Sequence, residues 1–489
     1  MTERKCDRIM RIALQRGLMW PSSEIYNGLA GFFDYGPVGA RLKRNIEEEW
    51  RKLFIIKEGM FEIETPTLMG EDVFTASGHL DHFTDPLVEC AKCGETYRAD
   101  HVVKNSLEVE TDGMGLKELN KLIKDNKLQC KKCKQKLGDA WTFNLMFKTQ
   151  TGAGKVKRNI YLRPETAQGA FVSFQRLYQV ARKRLPFGAC QIGKAYRNEI
   201  SPRQGMIRLR EFSQAEAEIF FDPKDTSHPN FKAVKNDTMP FLSADYQEQD
   251  RYEVLEMNVG DAVKKGVIGS EIHAYYLAIS EKFFENLGIP RSAIRCREQL
   301  KDERAHYSSG TWDIEIKSED FGWIEVAAIA NRTDYDLGGH SALSKQDLSA
   351  VYEGGGKFTP HVIEASFGID RPFYCVVEHS FREEEKRTYF AFDKKISPVR
   401  AAVFPLVNKE KLPGIADKVF NELIENNILA QLDTKGSIGR RYARSDEIGI
   451  PYCITVDFDS QKDNTVTLRE RDTTKQKRVK IKDLVKLLK

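Results

Sequence analysis

Two segments near the middle of the chain, QIGKAYRNE (191–199) and RLREFSQAE (208–216), constrain the fold more than any other feature. If the first is a strand, period-two alternation puts Arg197 and Glu199 on one face with Gln191 and Gly193. In the second, Arg208, Arg210, Phe212, Gln214 and Glu216 share parity. Between them SPRQG carries the proline and glycine of a turn. The expectation is an antiparallel hairpin that presents arginines, an aromatic ring and carboxylates on a common surface. A solvated strand face would also be polar, so alternation alone does not assign a function.

At 489 residues the chain is long enough for several domains. No run approaches the roughly 18 uninterrupted apolar residues of a membrane span. The start, MTERKCDRIM, carries Glu3 and Asp7 without a following apolar stretch, and reads as neither a secretory signal nor a transit peptide. The expected location is cytoplasmic. A net charge of +4 is small for this length, so a polyanionic partner would have to be met by local patches.

RLKRNIEEEWRKLF spaces Leu42, Ile46, Trp50 and Leu53 along one helical face, and MFEIETPTLM follows as an extended run in which Pro66 suits a strand edge or end. Two polar stretches, about 85–160 and about 222–306, read as insertions. After residue 395 the pattern becomes strand, helix, strand: VRAAVFPLV, then a helix marked by Ile415, Val419, Leu423 and Ile424, then YCITVDFD. The expected division is therefore a unit over 1–395 with two insertions and an α/β unit over 396–489.

Arg-x-Glu, a loop, then Arg-x-x-x-Phe-x-x-x-Glu resembles motif 2 of the class II aminoacyl-tRNA synthetases. EASFGIDRPFY, with Asp370-Arg371, resembles their motif 3, and Leu42 to Pro66 resembles motif 1. FDYGPVGARLKRNIEEEW, DVFTASGH, LRPETAQGAF, GWIEVAAIANRTDYDL and GSIGRRYARSDEIG extend the resemblance, nearly end to end, to the homodimeric glycyl-tRNA synthetase family. It implies an α+β fold: an antiparallel-sheet catalytic domain with insertions, then an α/β anticodon-binding domain. It implies a homodimer formed through the motif 1 region, with ATP, glycine and tRNA(Gly) as substrates. Two rivals are a sister enzyme charging another amino acid, and a non-catalytic, synthetase-like subunit that binds nucleic acid.

The implied chemistry needs positioning and charge stabilisation more than a protein base, because a carboxylate is already nucleophilic. By the resemblance Arg197 contacts the α-phosphate, Glu199 the adenine side and Arg208 the outer phosphates, while Phe212 stacks on the base and Arg371 closes the opposite side. Asn198, Leu209 and Val326 lie along the same nucleotide, and Glu325 holds ATP and Mg²⁺. For glycine the resemblance points to Glu165, Glu216, Glu364, Ala365 and Ser366; acceptors around an ammonium suit a substrate with no side chain. Ala365 stands where the family usually has proline, which takes a ring out of that turn.

Cys90-x-x-Cys93 and Cys130-x-x-Cys133 are paired knuckles that can supply four thiolates to a structural Zn²⁺. Cys6, Cys190, Cys296, Cys375 and Cys453 are isolated and read as packing residues. TGAGKVK fails as a phosphate loop, since Thr149 and Val156 stand where glycine and a hydroxyl belong. His79 and His82 receive no role. In SIGRRYARSDE, arginines flank a tyrosine, a mixture suited to single-stranded RNA, with packing beneath the sheet as the rival reading.

Overall fold

The computed structural model describes residues 3–109, 111, 113–200, 202, 205–352 and 354–489. Ser201, Arg203 and Gln204, in the segment read as a turn, lie outside the described residues.

The hairpin forms, Phe187–Tyr196 against Glu211–Phe221, with Gln191 opposite Glu216, Gly193 opposite Gln214 and Ala195 opposite Phe212. The strands stop short of the expected ends, so Arg197 to Glu199 and Arg208 to Arg210 lie in the connection beyond them. That connection is tied down by Arg197 N–H to Arg210 O at 2.9 Å and by Arg210 Nε to Glu199 O at 3.0 Å. Gly193 is required here: a Cβ would come within 2.2 Å of Arg163, a buried guanidinium that donates to Lys194 O and Thr65 O.

This hairpin is half of the motif that builds a nine-stranded sheet. Its strand order is Leu255–Asn258, Thr238–Leu242, Ile294–Glu298, Gly310–Ser318, Gly322–Thr333, His361–Gly368, Glu211–Phe221, Phe187–Tyr196, Phe61–Glu62. Pairings are antiparallel except the outer contacts of Thr238–Leu242 with Ile294–Glu298 and of Phe187–Tyr196 with Phe61–Glu62. The stretch 222–306, read as inserted, supplies three of these strands. It also supplies the helix Glu271–Asn286, buried over most of its length and capped by Ser270. Its strands are only four or five residues long and are separated by polar loops, which hid them from composition.

Period-two alternation splits the central strands cleanly. Ala215, Ala217, Ile219, Ile363, Ala365 and Phe367 enter the main core, while Phe212, Gln214, Glu216, Glu364 and Ser366 face the other side. Against the core face packs the helix Pro37–Arg51, whose Leu42, Ile46 and Trp50 are buried as expected. The next fully buried residue is Phe54, on the π-helical turn Lys52–Lys57 that continues the helix, with Leu53 partly buried against the same core. Trp50 stacks on Phe54 at 4.7 Å and meets Phe367 edge-on at 6.1 Å. Pro66 lies between the short strands Phe61–Glu62 and Leu68–Gly70.

The stretch 85–160 carries its own small sheet, Thr96–Arg98, Thr84–Glu89, Trp141–Asn144, and its own core around Val88, Val103 and Leu119. Residues 401–480 form a five-stranded mixed sheet in the order Ala430–Leu432, Ala401–Pro405, Tyr452–Val456, Thr465–Glu470, Gln476–Lys480, the first three parallel. Val419 and Leu423 of the helix Leu412–Glu425 are buried against it, whereas Ile424 is exposed. Asn45 Nδ2 donates to Ile396 O and Ser397 O where the chain passes from one sheet to the other.

Replacing Trp50 with Ala should destabilise the chain by about 3–5 kcal/mol, the usual range for deleting a fully buried aromatic. Denaturant unfolding measures it; a midpoint equal to wild type would show that this ring does not organise the core.

Candidate active site

The polar face of the sheet opens into a cavity of about 250 Å³ whose walls include Arg197, Glu199, Arg208, Leu209, Phe212, Glu325, Val326, Arg371, Glu165, Glu216, Glu364 and Ser366. These expected site residues come from segments up to 206 positions apart, Glu165 to Arg371, and the sheet brings them to one place. Two others are not brought in. Asn198 is turned so that its backbone N–H donates to Leu145 O at 2.7 Å. Ala365 points its methyl into the core, since the segment is a regular strand and not a turn, and alternation sends 365 opposite to 364 and 366.

One end of the cavity is cationic and aromatic. The Arg197 guanidinium lies over the Phe212 ring and over the Phe83 ring, 5.3 Å from each centroid, and its Nε donates to Pro164 O. Arg208 Nε donates to Glu199 at 2.6 Å. Across the cavity Arg371 donates from Nε to Ile207 O and from Nη1 to Glu325 O, with the Glu325 carboxylate 3.6 Å away. The preceding Asp370 is fixed by Ser213 N–H at 2.6 Å and by the Tyr35 hydroxyl. Val326 is an extra residue in the pairing with Gly310–Ser318, and this bulge turns Glu325 outward, its side chain 49% exposed.

The other end is acidic and centres on a residue the sequence reading did not single out. Arg332 has a fully buried side chain and is paired with Glu364 at 2.8 Å, Asp336 at 2.7 Å and Glu165 at 3.3 Å, while the Tyr307 ring lies 3.7 Å from its guanidinium carbon. Glu165 also accepts from Gln168 at 2.9 Å and lies 3.5 Å from His79 Nε2. Burial works against its charge, but Arg332 and His79 hold its pKa well below the ordinary carboxylate range. Glu216 accepts from Thr166 N–H at 2.7 Å on one oxygen, and from Gln214 and Ser366 at 3.0 and 2.6 Å on the other.

Acidic groups outnumber cations here, and burial responds. The Glu364 carboxyl is pushed up to about 8 by desolvation, which outweighs the opposing pull of Arg332. Glu218, opposite Glu364 in register, is buried with neither oxygen hydrogen-bonded among the described residues; desolvation and Glu364 push it well above the ordinary range, so it stays a neutral acid. The pocket thus has room electrostatically for one more small cation.

The signals for the missed residues were slight. Arg332 lies near the end of the strand Gly322–Thr333 and Asp336 in the first turn of the helix Tyr335–Ser344, so their spacing of four crosses a strand-to-helix junction and follows neither period. His79 had no patterned partner for its charge: its ring nitrogens meet Ser77 and Glu165, the latter 86 positions away.

Some 43 residues of sequence separate the farthest members of a second cluster. The sulfurs of Cys90, Cys93, Cys130 and Cys133 all lie within 4.8 Å of one another. The two knuckles are built alike: Cys90 N–H donates to Glu95 O and Gly94 N–H to Cys90 O, just as Cys130 N–H donates to Gln135 O and Lys134 N–H to Cys130 O. Four converging thiols on two such turns match the donor set and spacing of a tetrahedral metal site. The isolated Cys190, Cys296, Cys375 and Cys453 are buried, and Cys6 is partly so. In the C-terminal sheet unit, Arg441 is buried and donates to Pro405 O and Gly436 O, Tyr442 bonds Thr455 and Arg444 pairs with Asp433, which leaves Arg440 exposed.

Residues 147–380 match the model of the tRNA synthetase class II core domain (G, H, P, S and T), and residues 400–489 match that of an anticodon binding domain. The chain is 44% identical to the glycine–tRNA ligase of Methanocaldococcus jannaschii over 99% of its length and 98% of that protein's. It is 44% identical to that of Thermococcus sibiricus, covering 98% and 97%, and 45% identical to that of Methanothrix thermoacetophila, covering 97% and 94%. In fold it is similar to Giardia lamblia prolyl-tRNA synthetase in complex with prolyl-adenylate, with a TM-score of 0.62 at 12% identity over 98% of this chain and 74% of that one. The RNA-binding domain of Cryptosporidium parvum threonyl-tRNA synthetase gives the same score at 17% identity, covering 98% and 97%.

Replacing Arg332 with Met strands three buried carboxylates and should cost about 3–5 kcal/mol. Lys should not rescue it, because one ammonium cannot reproduce the planar fork. Thermal unfolding of the two variants tests this; a Lys variant as stable as wild type would remove the fork from the account.

Proposed function

The chain belongs to the glycine–tRNA ligase family of class II aminoacyl-tRNA synthetases, and from that premise we propose which of its residues carry the reaction. It attaches glycine to the 3′ end of tRNA with ATP, through a glycyl-adenylate. A glycine carboxylate oxygen attacks the α-phosphorus, the bond to the β-phosphate bridge breaks and pyrophosphate leaves. The tRNA terminal hydroxyl then attacks the glycyl carbonyl, and AMP leaves with the hydroxyl proton passing to its phosphate or to water.

The observation that carries the assignment is the polarity of the cavity, cationic and aromatic at one end and acidic at the other. In our reading Arg197 takes the α-phosphate, Arg208 the outer phosphates and Arg371 the far side of the nucleotide, each guanidinium being a planar fork of N–H donors. Phe212 gives the base a face, with Glu199, Leu209 and Val326 along it and the Asn198 backbone behind. The first step requires no protein base, because a carboxylate is already nucleophilic, so its gain comes from orientation and from charge placed before the reaction begins.

At the acidic end Glu165, Glu216 and Glu364, with the Ser366 hydroxyl, receive the glycine ammonium, and the backbone at Ala365 keeps its two neighbours on one face. Arg332 holds two of these carboxylates apart and aligned. Tyr307 and Ala330, which also line the cavity, limit the space beside the α-carbon. Exclusion of a methyl group by a filled wall is a steric rejection, stronger than the mere loss of a contact.

Class II synthetases use ATP with Mg²⁺, which neutralises phosphate charge when bound. Glu325 fits that ion: it is an outward, solvent-accessible carboxylate on the cavity wall. The four cysteines fit Zn²⁺ as a structural ion. We further assign residues 1–395 to activation and 396–489 to the anticodon, with Arg440 as the arginine left free to meet RNA. A homodimer through the motif 1 region is supported by Ile56, 73% exposed on the π-helical turn. No helix among the described residues is long and apolar enough to cross a membrane, and a cytoplasmic location agrees with that.

Pyrophosphate exchange with glycine, alanine, serine, histidine, proline and threonine tests the reading: glycine alone should support exchange, and equal rates with another of the six would overturn it. The KM for glycine should fall as pH rises from 6.5 to 8, by at most about tenfold per unit, because the incoming ammonium favours ionised Glu364 and displaces its proton. In Glu364→Gln that slope should vanish and KM should rise; a flat wild-type profile would exclude Glu364 as the titrating group. Purified protein should contain about one zinc per chain, lost in Cys130→Ser; absence of stoichiometric metal rejects the zinc assignment.

A further inference from the structure

Arg197 is held from a direction that the nucleotide-binding hairpin does not supply. Phe212, on the hairpin itself, is one of the two rings under its guanidinium; the other, Phe83, comes from a segment more than a hundred residues earlier. Phe83 is not part of the cavity wall. Its placement is nonetheless specified by several independent contacts.

Phe83 ends the short helix His79–His82, and the His79 ring meets it edge-on at 5.8 Å. His79 is itself bonded to Ser77 and faces Glu165. The Phe83 carbonyl accepts from Leu145 N–H at 3.0 Å, and the Leu145 carbonyl accepts from Asn198 N–H at 2.7 Å. Asn144 Nδ2 donates to the carbonyls of His79 and Leu80 at 3.1 and 2.9 Å. Phe83 and Leu145 are also the first residues outside the paired strands Thr84–Glu89 and Trp141–Asn144, the two legs of the cysteine-bearing insertion. The legs therefore clamp the backbone next to Arg197 and present a ring to its guanidinium.

We propose that Phe83 is a positioning residue for nucleotide activation: its ring, set by the legs of the insertion, fixes the plane of the Arg197 guanidinium against Phe212 before ATP arrives. A cation that rests on two π faces has fewer rotamers open to it, while its N–H groups remain donors for phosphate oxygens. The long side chain would otherwise lose several rotamers on binding, and a guanidinium ordered in advance avoids that cost at the reacting phosphate. The proposal rests on the reading of Arg197 as the α-phosphate ligand.

Exchange kinetics of the full-length chain separate the two. Phe83→Leu should lower kcat for glycine-dependent exchange by about tenfold, the scale of a partly desolvated cation–π contact, with the glycine KM within about twofold of wild type. Phe83→Trp and Phe83→Tyr, which keep a π face, should stay within about threefold of wild type. Adding Phe83→Leu to Arg197→Ala should cause no further loss, since the ring acts through the guanidinium. Normal exchange by Arg197→Ala would overturn the phosphate reading and this inference with it. A large loss in Arg197→Ala alongside normal exchange by Phe83→Leu would overturn this inference alone. So would a double variant slower than Arg197→Ala by the full Phe83→Leu factor. Should Phe83→Leu fail to fold, loss of exchange in a folded Trp or Tyr variant would overturn it equally.

Discussion

A single buried guanidinium holds the acidic half of the cavity together. Arg332 reaches Glu165 before the first site helix, Glu364 on the central strand and Asp336 on the helix after its own strand. Its five N–H groups are the reason it can serve three carboxylates at once. Burying such a charge is expensive unless its hydrogen bonds are met, and here the geometry meets them. The arrangement costs stability relative to an apolar core, and what it provides is direction: carboxylates aimed and spaced before a small cation arrives.

The two ends of the cavity share one device. At the acidic end a cation is surrounded by anions, and at the other end an arginine is surrounded by rings and carbonyls. In each, the functional charge is immobilised by groups outside the cavity wall: Asp336 and Gln168 at one end, Phe83 and Pro164 at the other. Both sets hang from the same sheet face, so a rigid scaffold fixes the distance between amine and phosphate sites. Surplus negative charge is relieved by protons on Glu218 and Glu364, because burial pushes both carboxyls above their ordinary range.

Much of the site could be read directly. Alternation in 191–199 and 208–216 put Phe212, Gln214 and Glu216 on one face, and the same parity rule separates Glu364 and Ser366 from Ala365, although Ala365 was expected beside the substrate. Helical spacing found Leu42, Ile46 and Trp50. What escaped were features whose signals are not local. The strands within 222–306 are too short to show a period, and the polar loops between them dominate the composition of that stretch. Arg332 and His79 both meet Glu165 from more than eighty residues away along the chain, and no spacing rule reaches that far.

Residue type and short-range periodicity thus determined the hairpin, the amphipathic helix, the paired cysteine knuckles and the kinds of charge available for the chemistry. These follow from the fixed geometry of strands and helices, in which neighbours in sequence have known relative directions. Tertiary structure alone decided which carboxylates share Arg332, which protons the pocket retains, and how the legs of the cysteine insertion come to rest against Arg197. Those outcomes depend on burial and on distances between remote segments, and both exist only once the sheet has closed its core.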